Sequence, residues 1–183
     1  MLKRNEKGRS MIEMLGVLTI IGVLSVGGLH VINRMQDEQK STRMVSELSE
    51  LARYAKKMAC QYDSGYSDYT IYLYKQNAYP GTWSFDKQNT KFIGVLGTTY
   101  SISSADGKLT VTVGKLPEEF CMRLATSDWG GPQSSGFLSI SLNNDETPVK
   151  ANSAQYPMSF EAAATKCNKK TDNVIYLVYQ GCI

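Results

Sequence analysis

The sequence predicts an α+β fold: a long N-terminal α-helical spine packed on an antiparallel β-sheet head with short helices, stapled by disulfides. Three observations predict it. An uncharged run from Met14 to Ile32 passes directly into a charged stretch, residues 33–60, that has helical apolar spacing and neither proline nor glycine. Strand-like alternation then recurs between residues 100 and 179, punctuated by a turn pair. Four cysteines, Cys60, Cys121, Cys167 and Cys182, are spread along the chain with no close C-x-x-C pair.

A chain of 183 residues accommodates one domain and an appendage, hardly two full domains. Its net charge of +3 comes from scattered basic residues, so no clustered basic face marks nucleic acid as a partner. The single histidine, His30, removes the usual Ser–His–Asp and Cys–His machinery and any multi-His metal site. We therefore expect no catalytic residue, no metal and no cofactor, and read His30 as a helix-packing residue. Widely spaced, even cysteines behind a membrane-targeting segment favour disulfides in an oxidising compartment; the alternative is buried thiols in a cytosolic protein.

The N-terminus decides the class. Lys3, Arg4, Lys7 and Arg9 precede the 19 uncharged residues from Met14 to Ile32. As a helix that run spans roughly 28 Å, close to the bilayer hydrocarbon core of about 30 Å. Its basic flank leaves the C-terminal portion outside the cytoplasm. Three readings are open. A secretory signal could be cut at Ser25-Val26-Gly27, leaving a chain that begins at Gly28. An uncleaved anchor is the second. The third is set by Glu13, a carboxylate near the start of the apolar stretch, which costs a few kcal/mol in lipid unless a cation awaits it.

The string GRSMIEMLGVLTIIGVLSVGG, residues 8–28, resembles the processing site and first helix of type IV pilins and type II secretion pseudopilins. The resemblance implies that a prepilin peptidase cuts after Gly8, so that residues 1–8 are a cytoplasmic leader and Arg9 becomes the methylated N-terminus. It implies that Glu13, the fifth mature residue, pairs with the terminal amine of a neighbouring subunit during filament growth. Residues 9–32 would then be the transmembrane half of the spine, 33–60 its amphipathic half and 61–183 the head. The implied partners are other copies in a helical filament, the peptidase, the inner-membrane pilus assembly platform and, before assembly, membrane lipid. The implied locations are the inner membrane, single-pass with a periplasmic C-terminus, and later an extracellular pilus. Two positions depart from the family pattern. Arg9 stands where Phe is common, and His30 stands where many relatives have proline; Gly16, Gly22, Gly27 and Gly28 can weaken the helix instead.

From Ile32 onward Val45, Leu48, Leu51 or Ala52, Ala55, and Met58 or Ala59 recur at three- and four-residue spacing, one apolar helix face. Asp37 with Lys40 and Glu50 with Arg53 add weak surface pairs. The stripe is expected to pack on the chain's own head, and the membrane half on other copies, along one helix of about 75 Å.

The head opens with a tyrosine-rich segment: Tyr62, Tyr66, Tyr69, Tyr72, Tyr74 and Tyr79. These are expected to cover the spine within the subunit, the alternative being an adhesive or packing surface. Tyr100 and Ile102 alternate with serines, and Leu109, Val111 and Val113 with threonines. Asp106-Gly107 between them signals a hairpin. Leu138, Ile140 and Leu142 suggest another strand, and residues 174–179 a more fully buried one. Short helices are expected from Pro117 to about Thr126 and from Ser159 to about Cys167, with a loop at Gly130-Gly131-Pro132.

This order, with Leu-Pro-Glu-Glu-Phe-Cys at 116–121 and Ala-Ala-Ala-Thr-Lys-Cys at 162–167, is similar to the type IVb pilin head, conjugative-plasmid pilins included. The similarity implies a Cys121–Cys167 bridge, leaving Cys60 for Cys182, one of three possible connectivities. Asn143-Asn144-Asp145-Glu146 lacks EF-hand ligand spacing and reads as a turn. A structural polymer subunit is the leading function. Alternatives are a low-copy minor pilin contacting a receptor or DNA, and a secretion pseudopilin. An anchored enzyme lacks any nucleophile–base pair.

Overall fold

The computed structural model describes residues 7–61, 68–143, 145 and 147–181; within the first helix, side chains are described for Met14–Thr19 and Met35–Cys60. The chain forms two compact units, Met1–Lys40 and Ser41–Ile183. Helix α1 runs Lys7–Gln61. In the first unit its described apolar side chains lie open, and Lys40 pairs with Asp37 at 3.1 Å.

In the second unit α1 buries one stripe. Met44, Leu48, Leu51, Ala52 and Ala55 are each at most 7% exposed and join the head's core. The stripe follows from three- and four-residue spacing, which stacks these side chains on one helix face. Val45 sits at its edge, half-buried.

Helix α2 (Tyr69–Lys75) and a short hairpin, β1 (Ser84–Asp86) with β2 (Lys91–Ile93), come next. Neither was legible in the sequence. Asp68 caps α2, its Oδ1 accepting from Thr70 N at 2.8 Å, and this local bond overrides the strand preference of a Tyr/Ile-rich run. Tyr69, Tyr74 and Tyr79 do turn inward. Tyr74 stacks on Phe85 at 4.0 Å, Tyr79 leans on Phe92 at 4.9 Å, and Tyr69 is buried. Tyr62 and Tyr66 lie outside the described residues.

Strands β3 (Thr99–Ala105) and β4 (Lys108–Leu116) pair through the Asp106-Gly107 turn, both residues at positive φ (51° and 69°) as a type I′ hairpin requires. Helix α3 (Glu118–Thr126) follows Pro117, with Glu118 and Glu119 in its first turn and Arg123 in its last, matching the helix dipole. Then come β5 (Phe137–Leu142), β6 (Val149–Lys150), α4 (Phe160–Lys166) and β7 (Asn173–Gln180). Ser159 caps α4 through Ala162 N.

Among the described residues the seven strands make one antiparallel sheet in the order β1-β2-β3-β4-β7-β5-β6. The last strand therefore slots between β4 and β5, and closing the sheet needs the C-terminal segment. Strand β7 is not buried throughout: Ile175, Leu177 and Tyr179 are buried while Val174, Tyr176 and Val178 are half-buried. Strand β5 corrects the sequence expectation at one residue. A register shift between Phe137 and Ser139 makes Phe137, not Leu138, the first buried side chain.

Candidate functional site

Gly8 and Arg9 lie in the first turns of α1 and Glu13 follows on the same helix; their side chains are outside those described. Just beyond, Met14, Leu15, Val17 and Leu18 are 56–68% exposed. At 100° per residue these four cover nearly half of the helix circumference. Gly16 and Thr19 occupy the remainder, and Thr19 Oγ1 donates to Leu15 O at 2.5 Å, so no side presents a charge. Among the described residues no helix is long and apolar enough to cross a membrane. The rest of the apolar run, residues 20–32, falls where side chains are not described.

In the head, Cys121 of α3 and Cys167 at the end of α4 form a disulfide, and both are fully buried. A buried amide organises the adjoining chain. Asn173 Nδ2 donates to the carbonyls of Leu116 (3.1 Å) and Lys169, while its Oδ1 accepts from Lys169 N at 3.1 Å and Asn143 Nδ2 at 3.0 Å. Asn143 in turn donates to Lys166 O at 2.8 Å, tying the end of β5 to α4. Next to it Lys166 pairs with Asp145. The Lys166 ammonium, helped by the Thr147 hydroxyl and N–H, holds the Asp145 carboxyl well below the usual carboxylate range. Residue 145 thus serves an ion pair across the loop; Asn144 and Glu146 of the expected turn lie outside the described residues. Cys60 is disulfide-bonded, and Cys182 lies outside the described residues.

A second polar centre joins α1 to the head. Glu47 is 8% exposed and accepts from Trp83 Nε1 (2.8 Å), Thr82 Oγ1 (2.7 Å) and Arg43 Nε (2.9 Å). Trp83 stacks on Tyr100 at 3.9 Å, and burial pushes the Tyr100 hydroxyl up to about 12.

Further along α1 a cleft of about 330 Å³ opens against the loop before β5. Arg53 and Lys56 form one wall, Ser134 and Ser135 the other, with Trp129 and Tyr179 at its base. The loop is held by Ser135 Oγ donating to Trp129 O at 2.7 Å and by Trp129 Nε1 donating to Leu124 O at 3.0 Å. Gly136 has φ of 76°, and a Cβ there would stand 2.5 Å from Lys56 Nζ, so the missing side chain makes room for the ammonium.

Residues 38–180 match the family model described as PilS N terminal, the N-terminal domain of the type IVb pilin PilS. The chain belongs to this pilin family. No curated protein matches it. The PilS pilins are structural subunits rather than an enzyme family. Among the described residues of this pilin no three His, Cys, Asp or Glu side chains converge as a metal site.

Two centres of this pilin escaped the sequence reading. Glu47 had a signal: it falls beside Leu48 and three residues after Met44, a carboxylate on an otherwise apolar face. Its partners, Thr82 and Trp83, had none, because the loop that brings them is not periodic. The cleft likewise combines a helix face with a glycine-rich loop more than about 70 residues away.

Proposed function

We propose that this pilin is a filament subunit that a prepilin peptidase cuts after Gly8, leaving Arg9 as a methylated N-terminus. Residues 9–32 hold it in the inner membrane with the head in the periplasm until the assembly platform passes it into an extracellular pilus. In the filament Glu13 meets the terminal amine of a neighbouring copy, and Cys60 pairs with Cys182 in each head. Residues 33–60 are then the amphipathic part of the spine and 61–183 the head.

The observation that carries the reading is the uncharged, open surface from Met14 to Thr19, directly after Glu13, on a helix whose later turns fill a folded head's core. A helix without a polar face needs lipid or other helices around it. A carboxylate at the edge of that surface needs a cation, since an unpaired charge in such a medium costs several kcal/mol. Sister chains supply both.

Intact mass and N-terminal sequencing of the membrane-extracted protein test the processing. The expected species lacks residues 1–8 and carries one methyl group. Glu13→Ala should leave the protein inserted but unassembled; normal filaments from that variant would refute the pairing. A mature chain beginning at Gly28 would overturn the whole reading.

A further inference from the structure

We propose that the Phe160–Glu161 corner of one head docks into the Arg53/Lys56 cleft of a second copy. The inference rests on the filament reading and names a head-to-head contact within it.

Phe160 is 68% exposed at the start of α4 and is the most exposed large apolar side chain described in the second unit, ahead of Leu96 and Ile71 at 48% and 39%. It takes part in no ring contact among the described residues, although aromatic pairing organises much of this head. Glu161 beside it is exposed, and its carboxylate has no ion pair among the described residues. An aromatic side chain held in water next to an unpaired carboxylate is therefore presented as one bipartite knob.

The cleft has the opposite character in each part. Its base includes Trp129, Tyr179 and Ala52, and its wall has two cations, Arg53 and Lys56, that make no ion pair among the described residues. Arg53 leans over the Tyr54 ring, 5.8 Å from its centroid. The carboxylate closest in sequence to the opposite wall, Asp128, is occupied, accepting from Gly130 N at 2.8 Å and Tyr156 OH at 3.2 Å. At about 330 Å³ the cleft admits a phenyl ring with a carboxylate at its mouth. The ring loses water against the apolar base while the carboxylate meets two donors in a charge-assisted contact.

Knob and cleft share no residue, so the contact is heterologous: each head offers a knob to one neighbour and a cleft to another. Such contacts run on into open arrays rather than closing as dimers.

The test uses the full-length chain in cells, with p-benzoylphenylalanine in place of Phe160, irradiated before filaments are sheared off. Chain-to-chain adducts mapping to residues 49–56 or 129–135 are expected. Glu161→Lys should cut their yield on the order of tenfold, and Glu161→Lys with Lys56→Glu should restore it. Normal Cys121–Cys167 bonding in each variant, read on non-reducing gels, excludes misfolding. Filaments that form without these adducts, or adducts to a different protein, overturn the docking while leaving the filament reading intact. The same adducts in membranes of cells that make no filament uphold the docking and sink the filament reading. Absence of both filaments and adducts overturns both.

Discussion

Glu47 Oε2 accepts the indole N–H of Trp83 at 2.8 Å, across 36 residues of sequence, inside the head core. The bond fixes the spine's face against the aromatic loop, and Thr82 and Arg43 fill the rest of the carboxylate. Deleting the carboxylate strands a buried indole donor, and hydrogen bonds to charged groups are worth about 1.5–3 kcal/mol. We expect Glu47→Ala to destabilise the detergent-solubilised chain by about 2–3 kcal/mol in urea titrations followed by tryptophan emission. Glu47→Gln, which keeps an acceptor, should lose clearly less. Equal losses for the two variants would point to packing rather than the hydrogen bond.

Legibility in the sequence tracked periodicity. The β3–β4 hairpin was readable because strict alternation flanks Asp106-Gly107, and α3 and α4 because Pro117 and Ser159 mark their starts. Helix α2 was not, since Tyr69–Lys75 is built of residues that favour strands, and only its Asp68 cap and tertiary packing make it helical. The hairpin of β1 and β2 has three residues per strand, too few for a period to register. Leu138 misled for a different reason: one bulge residue inverts the facing of everything before it. Of the candidate sites, the cysteines could be paired only through a family likeness. The Arg53/Lys56 cleft left no trace, because it exists only once distant segments meet.

Removing the Cys121–Cys167 bond releases a loop with a sequence separation of 46 residues. The chain-entropy relation gives a loss of about 4 kcal/mol for a loop of that size. A Cys121→Ser, Cys167→Ser variant should accordingly unfold at markedly lower urea concentration. The α3–α4 region should become the first segment open to hydrogen exchange, while β3 and β4, held by their own ladder, stay protected. Uniform loss of protection across the sheet would contradict this ordering.

Gly94 approaches the Trp83–Tyr100 stack so closely that a Cβ would lie 2.5 Å from Tyr100 Cε2 and 3.1 Å from Trp83 Nε1. Its φ of −111° suits any residue, so the penalty of Gly94→Ala is steric alone. Tyr100 is fully buried and cannot swing aside. Overpacking of this kind costs about 1–3 kcal/mol. Gly81→Ala, with nothing within 4 Å of the new methyl group, is the control and should stay within about 0.5 kcal/mol of the parent. Denaturation midpoints of the two variants that coincide would show that the stack is looser than its geometry.

The Asp145–Lys166 pair predicts how the head responds to acid. Asp145 lies in the loop just after β5 and Lys166 immediately before Cys167, so their ion pair braces the disulfide-bearing end of α4 against the sheet. The Asp145 carboxyl is held below its ordinary value by Lys166 first and by Thr147 second, whose Oγ1 and N donate at 2.7 and 3.0 Å. A carboxyl depressed in the folded state contributes its stabilisation above its unfolded pKa of about 3.9 and loses it as pH falls further. Thermal melts of the parent and of Asp145→Asn should therefore be separated at pH 6, with the parent more stable. The gap should narrow once pH drops below about 4, as the carboxyl of the unfolded parent takes up its proton while the folded one still resists it. Because both side chains are partly exposed, high salt should shrink the gap at pH 6 as well. A separation that stays constant from pH 6 to pH 3 would mean that the ammonium contributes nothing and that Asp145→Asn acts through contacts that do not titrate.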